Sequence, residues 1–427
     1  MQGVASHNVP SPAVVVPHFI FGGLALLVIS LLIVVEPSIF TQHFINPKLL
    51  AVTHLTVLGW ITMIIFGALY QLIPVIMEVK LYSEKLAKIS FILLALGAIC
   101  LSYSFWNFDI GTEMYFSAVF IIIAVVFFVI NVTATSIKST KESIERTFIV
   151  TAVVWLLFTV FAGLALVINL THPFLKPTQV ALIKLHAHAG IIGWFFQLII
   201  GVSSRLLPMF MVSHNLNKKK LKATYYLLNL GLLLGIFSLY NNWQIGVNIA
   251  IISVVLSILF YLSFLLEAYK KRIRKHLDIG MKQSVLSFLI LLIPLLLILL
   301  LVFGFNSLKN STQPIIIAYG STIVLGFITS LILGQTYKTL PFIIWLKVYR
   351  NRVGKGKIPL PKELYSEKIA TIQLWSFSVG FIILLAGIFM QSDNLVRLGG
   401  IILVLTILLY NYNSLKIILH KPKKTNK

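Results

Sequence analysis

Runs of about twenty apolar residues, separated by short polar stretches, recur along the whole chain of 427 residues. A helix of that length crosses the roughly 30 Å hydrocarbon layer of a bilayer. Lipid offers no hydrogen bonds to a peptide backbone, so a chain built this way must span as helices that satisfy their own. Apolar runs broken by charge or turn residues mark twelve segments: 17–36, 49–77, 87–106, 114–135, 148–170, 179–212, 223–240, 245–267, 284–304, 314–346, 369–390 and 396–418. Only 11% of the residues are charged, against about 25% in soluble domains, which excludes an ordinary cytosolic enzyme. The 30 Phe, 15 Tyr and 7 Trp exclude a disordered chain. The single cysteine, Cys100, lies inside an apolar run, so no internal disulfide or cysteine metal site is available. The first run lacks a basic flank and a small-residue cleavage site, and reads as a span rather than a cleaved signal.

A net charge of +23 would suit a nucleic-acid partner in a soluble chain. Here, counting Lys88 and Lys416 at segment ends, 28 of the 35 basic residues fall after even-numbered segments or in the C-terminal tail. The densest groups are Lys218 to Lys220 with Lys222, then Lys270, Lys271, Arg272, Arg274 and Lys275, then the 347–368 loop. The positive-inside rule therefore predicts both termini on the cytoplasmic side, as in a multi-pass protein of a bacterial inner membrane. The basic loop 347–368 and the tail 419–427 carry no sign of a folded domain. Their expected partner is the lipid bilayer, through anionic headgroups, and no nucleic acid.

One pattern occurs three times. In the second segment (49–77) His54 opens HLTVLGWITMIIFGALYQLI, closed by Pro74. In the sixth (179–212) His188 opens HAGIIGWFFQLIIGVSSRLL, closed by Pro208. In the tenth (314–346) Ser321 opens STIVLGFITSLILGQTYKTL, closed by Pro341. Gly59, Gly193 and Gly326 share one register position, Trp60, Trp194 and Phe327 the next, and Gly67, Gly201 and Gly334 a third. The copies lie 134 and 133 residues apart, four segments per step. Close helix packing explains the glycines alone. A common aromatic-to-proline register points further, to parallel repeats of four helices, with segments 11 and 12 counted before segment 1.

Ionisable residues within a bilayer are costly and mark function by default. His54 and His188 occupy one repeat position, in the outer half of the bilayer under the sidedness above. His186 stands two residues earlier, opposite Tyr319 in the tenth segment and Val52 in the second. At about 100° per residue His186 and His188 point to opposite sides of their helix, so they serve two sites rather than one. His18 is expected at the cytoplasmic start of the first segment, and His7, His214, His276 and His420 on that same side. Neutral imidazole ligates haem iron and copper; a histidine bonded to a helix carbonyl for packing is the alternative. Arg205 and Lys338 share a repeat position with Gln71, and snorkelling to the interface accounts for both cations. Lys184 either anchors the helix end or meets an acidic cofactor group. Glu36, Asp109 and Glu113 sit at outer boundaries, so no mid-membrane carboxylate relay is expected.

Twelve helices in three pseudo-repeated four-helix units, with His54 near the outer end of the second, resemble subunit I of the haem–copper oxidase superfamily. The likeness is to the cytochrome c oxidase subunit I and nitric oxide reductase branch, and it rests on His54 to Pro74 and on HAHAGIIGW, His186 to Trp194. It implies an all-α integral membrane protein with haem and possible copper cofactors, linked to respiratory electron transfer. It also implies respiratory partner subunits or a c-type cytochrome as electron donor. The family pattern assigns His54 as a low-spin haem ligand. It departs at Tyr319 and Ser321, where the family carries histidines, and in segment 7, which lacks the copper-binding histidine pair. His54, His188 and His186 are therefore the cofactor and metal candidates, and catalytic residues stay unassigned. An accessory or sensory haem or copper protein, and a secondary transporter built on repeats, are the alternatives.

Overall fold

The computed structural model describes residues 8–139, 142–303, 312–353 and 358–422. His7, positions 354–357 of the basic loop and 423–427 of the tail lie outside the described residues. Among the described residues there is no strand, and twelve helices are long and apolar enough to cross a membrane. They are α1 (Pro12–Val35), α2 (Pro47–Met77), α3 (Glu84–Asn107), α4 (Thr112–Ile137), α5 (Ile144–Thr171), α6 (Gln179–Met211), α7 (Lys218–Tyr240), α8 (Gln244–Lys270), α9 (Ile279–Phe303), α10 (Thr312–Arg352), α11 (Glu367–Phe389) and α12 (Asp393–Ile418). The chain is an integral multi-pass membrane protein.

Each apolar segment of the sequence falls on one helix, but most helices begin earlier. The reason is capping. Ser11, Asn46, Ser143, Thr178, Asn217, Asp278, Ser366 and Ser392 each accept a first-turn backbone N–H through the side chain. The first turns are polar yet helical, so Lys218 to Lys222 lie on α7 rather than in a loop. At the far end of α10 the helix runs on to Tyr349 and ends in a 3-10 turn over Arg350–Arg352. The 347–368 loop is thus shorter than its polarity suggested. A second 3-10 turn covers Pro361–Leu364, and the Trp345 indole donates to the Pro359 carbonyl at 2.7 Å, folding the loop back on α10.

The chain forms two compact units. The first holds residues 1–72, 101–108 and 278–427, and the second 73–100 and 109–277. In the first, α1 packs along α12, α12 along α11, and α9 along α10. In the second, α4 packs on α5, α5 on α6, and α7 on α8. The three repeat-bearing helices are the most buried of all, with 61%, 72% and 78% of their best apolar window enclosed, against 50% or less elsewhere.

The repeat glycines explain that burial. Each takes the helix that precedes it at backbone distance. A Cβ on Gly67 would lie 2.6 Å from the Cβ of His18 on α1, one on Gly201 2.8 Å from that of Phe148 on α5, and one on Gly334 2.7 Å from the Gly280 carbonyl oxygen on α9. The earlier glycine of each copy also faces that helix, Gly59 towards Ala25, Gly193 towards Trp155 and Gly326 towards Ile290, though Gly326 meets Phe381 of α11 more closely still. His18 is a correction to the sequence reading. It lies inside α1, fully buried, set edge-on to Tyr70 with ring centres 5.7 Å apart, and packs rather than marking a membrane boundary.

Because the atom facing Gly334 is backbone, little relaxation is open to it. Gly334→Ala is expected to cost about 1–3 kcal/mol and to lower the unfolding midpoint of the detergent-solubilised protein. An unchanged midpoint would show that α9 and α10 are not held in this contact.

Candidate functional site

The repeat is present in the backbone as well as in the sequence. Each repeat helix switches from α to π geometry directly after its first motif residue: Leu55–Thr62 follows His54, Ala189–Phe196 follows His188, and Thr322–Ile328 follows Ser321. A π turn carries one more residue than an α turn, shifts the side chains that follow, and occurs mostly at functional sites. The glycine at the centre of each stretch fits this widening, since no Cβ obstructs the helix packed there. The three motif-opening residues therefore stand at equivalent backbone positions, the last α-helical residue before the bulge.

His54 and His188 also share their ring geometry. Nδ1 of His54 donates to the Leu50 carbonyl at 2.8 Å, and Nδ1 of His188 to the Lys184 carbonyl at 2.7 Å. A carbonyl only accepts, so in the neutral ring the proton is on Nδ1 and the lone pair on Nε2. Anchoring one ring nitrogen on a carbonyl is also how ligating histidines are oriented and made more basic. His54 is half-buried and lies face to face with Phe105 of α3, ring centres 4.7 Å apart and planes 24° apart. His188 is half-buried as well. His54 belongs to the first unit and His188 to the second.

His186 behaves differently. Its Nδ1 donates across to the Thr159 carbonyl of α5 at 3.1 Å, and its ring lies over Gly163, where a Cβ would come 3.0 Å from the imidazole Cε1. The ring is seated on α5.

Other polar positions resolve individually. Arg205 is exposed, as snorkelling requires. Lys338 corrects the same expectation, since its ammonium is ion-paired to Asp278, which also caps α9. Lys184 is exposed, and its carbonyl serves His188. In α10 the hydroxyl of Thr322, the residue after Ser321, donates to the Ala318 and Tyr319 carbonyls.

The donor chemistry decides between metals. Where α7 meets α5 and α6, Asn229 accepts from the Trp155 indole at 3.2 Å and from the Gln197 amide at 2.7 Å, and Tyr225 bonds Thr151 at 3.0 Å. These are neutral amide, indole and hydroxyl groups bonded to one another, a poor environment for copper. Among the described residues no group of three or more His, Cys, Asp or Glu side chains could hold a metal ion. The amide, indole and hydroxyl groups of this seam are not copper ligands. A haem iron asks only for axial imidazoles, and His54 and His188 meet that requirement chemically.

Comparison with known proteins gives one kind of match. No family model matches the sequence, and no curated protein does. Among solved structures, a haem–copper terminal oxidase dimer determined by cryo-EM is similar with a TM-score of 0.69. The identity is 10%, over 100% of this chain and 86% of that one. The fold is therefore haem–copper oxidase subunit I-like, with twelve helices in three pseudo-repeated four-helix units.

The amide network makes a measurable demand. Asn229→Ala would leave the Trp155 indole and the Gln197 amide without their partner inside the protein, at about 1–3 kcal/mol for each such group. A clear fall in unfolding midpoint is expected, with Trp155→Phe recovering part of the loss in the double variant. Strict additivity of the two would show that the side chains do not form one network.

Proposed function

We propose that this chain is a haem-binding membrane protein of the oxidase subunit I type, with His54 and His188 as its candidate haem ligands, each through Nε2. It resides in a bacterial inner membrane with both termini cytoplasmic. The observation that carries this is the shared state of two histidines from separate repeats: same register, same π turn behind them, same Nδ1 anchor, same nitrogen left basic. A histidine kept for packing alone has no reason to be copied with its tautomer. A haem held by histidine here would supply one-electron transfer. The chain's own contribution is to orient the two rings and to keep them in apolar surroundings.

This reading favours electron transfer, or sensing of a gas by the haem, over reduction of oxygen or nitric oxide. The Asn229 network occupies the α5–α6–α7 seam with groups unsuited to copper. A non-catalytic accessory or sensory role within a respiratory assembly is accordingly the second reading. Respiratory subunits or a c-type cytochrome are the proposed partners.

An optical spectrum of protein purified from haem-replete cells is the direct test. A low-spin Soret and α-band pattern is expected, abolished in His54→Ala and in His188→Ala and retained in His186→Ala, whose ring is seated on α5. No Soret absorbance in the parent protein would end the haem assignment. Equal loss in all three variants would mean unfolding. Bound haem without oxygen or nitric oxide consumption would select the accessory role.

A further inference from the structure

A cavity of about 280 Å³ opens at the ends of α1, α2 and α3 remote from the basic loops, within the first unit. It lies at the membrane–water boundary, since its walls are the last turn of α3, the first turn of α2 and the link that follows α1. Its polar walls carry one charge of each sign. Glu36 follows the last residue of α1, and Lys48 lies in the first turn of α2, their charged atoms 2.7 Å apart. Ser38 donates to the other Glu36 oxygen at 2.6 Å. Both charged side chains keep about a third or more of their surface open, 32% for Glu36 and 40% for Lys48. The Lys48 ammonium lies 5.3 Å from the centre of the Trp106 ring, so the indole face is already placed against a cation. Bonding from Lys48 and Ser38 holds the Glu36 carboxyl below the usual carboxylate range, which keeps it ionised at neutral pH.

We infer that this cavity binds the headgroup of a zwitterionic phospholipid with a primary ammonium, phosphatidylethanolamine, in the leaflet remote from the basic loops. The phosphate pairs with Lys48, and the ammonium with Glu36 and the face of Trp106. The exchange gives up one half-exposed, weak ion pair and the Lys48 contact with Trp106, and returns two ion pairs with an ammonium over the same indole. Size supports a headgroup, since the cavity is at the small end of the roughly 300–1,000 Å³ range of small-molecule sites. A primary ammonium fits because it offers three N–H donors to a carboxylate. A trimethylammonium offers none and is held by a cage of several aromatic rings. The lipid source is favoured over a soluble zwitterion by the rim. Phe108, next to the cavity, is 60% exposed on a backbone with φ of 53°, an apolar ring at headgroup depth, where aromatic side chains concentrate. The inference rests on the membrane fold and is independent of the proposed haem.

The test uses the full chain in nanodiscs of equal phosphatidylethanolamine, phosphatidylcholine and phosphatidylglycerol, with native mass spectrometry of the lipids retained after detergent extraction. The parent protein is expected to keep phosphatidylethanolamine over phosphatidylcholine by about tenfold, the scale of a hydrogen bond to a charge. Glu36→Gln and Lys48→Gln should each remove the preference while the unfolding midpoint stays within a few degrees. Should either variant fail to fold, hydrogen exchange of residues 36–48 in the parent protein replaces it. Added phosphatidylethanolamine should slow that exchange and phosphatidylcholine should not. Equal retention of both lipids, or a preference that survives both substitutions, overturns the site. Phosphatidylglycerol held as well as phosphatidylethanolamine reduces it to a simple anion site. Displacement by an equal concentration of soluble phosphoethanolamine overturns the lipid assignment.

Discussion

Three helix pairs in this protein meet through glycine, and much else in the fold follows from that contact. In α1–α2, α5–α6 and α9–α10 the earlier helix is seated on two glycines of the later one, eight residues apart. In lipid the apolar side chains of two helices gain little by leaving a medium as apolar as themselves, so association depends on close packing and on hydrogen bonds. Glycine allows the closest packing available. Removing the side chain at two points of each motif helix lets the backbone of the neighbour lie against it, and this buries the motif helices more deeply than any other span. A buried helix can hold polar groups out of lipid, which is why the chain's candidate ligands are found there.

The π turns belong to the same arrangement. A helix seated tightly on its neighbour by glycines on one face has few ways to re-aim a side chain on another, and inserting a residue into a turn is one of them. That the insertion follows His54, His188 and Ser321 alike shows that the repeat preserves backbone geometry even where the side chain differs. The tenth span keeps the bulge and replaces the imidazole with a hydroxyl.

The fold was legible in the sequence because both of its determinants are written locally. Apolar length marks each span, and the glycine–aromatic–glycine–proline register marks the repeat. The helix ends were less legible, for a physical reason: apolarity reports where lipid is, whereas capping reports where the helix begins. Ser11 before Pro12 and Asn46 before Pro47 are strong start signals lying upstream of the apolar runs, and attention to them would have extended both helices. The candidate site was legible as residue types and register, not as contacts. Nothing local to His186 announces that it will bond the Thr159 carbonyl, because the partner lies on another helix and the decisive feature there is the absence of a side chain at Gly163. The Lys338–Asp278 pair escaped for the same reason, sixty residues separating its members.

The position shared by Gln71, Arg205 and Lys338 shows how far a repeat constrains chemistry. All three stand four residues after the second motif glycine, and each has met its surroundings differently. Arg205 is exposed, as a long cation near a span end can be at little cost. Lys338 is mostly enclosed and needs a counter-charge, which the α9 cap Asp278 provides while still holding its own helix start. Gln71 is 3% exposed and neutral, so it can be enclosed without a counter-ion, the one choice of the three that a site lacking an acidic neighbour permits. Packing is therefore conserved between the copies while charge is not, because glycine contacts act through backbone shape and charge acts through whichever neighbour happens to be near. Agreement between copies in a polar residue consequently says more than agreement in an apolar one. His54 and His188 agree in residue, in register and in ring anchor, on helices that have diverged freely in charge, and selection on the imidazole itself explains that agreement better than selection on the fold.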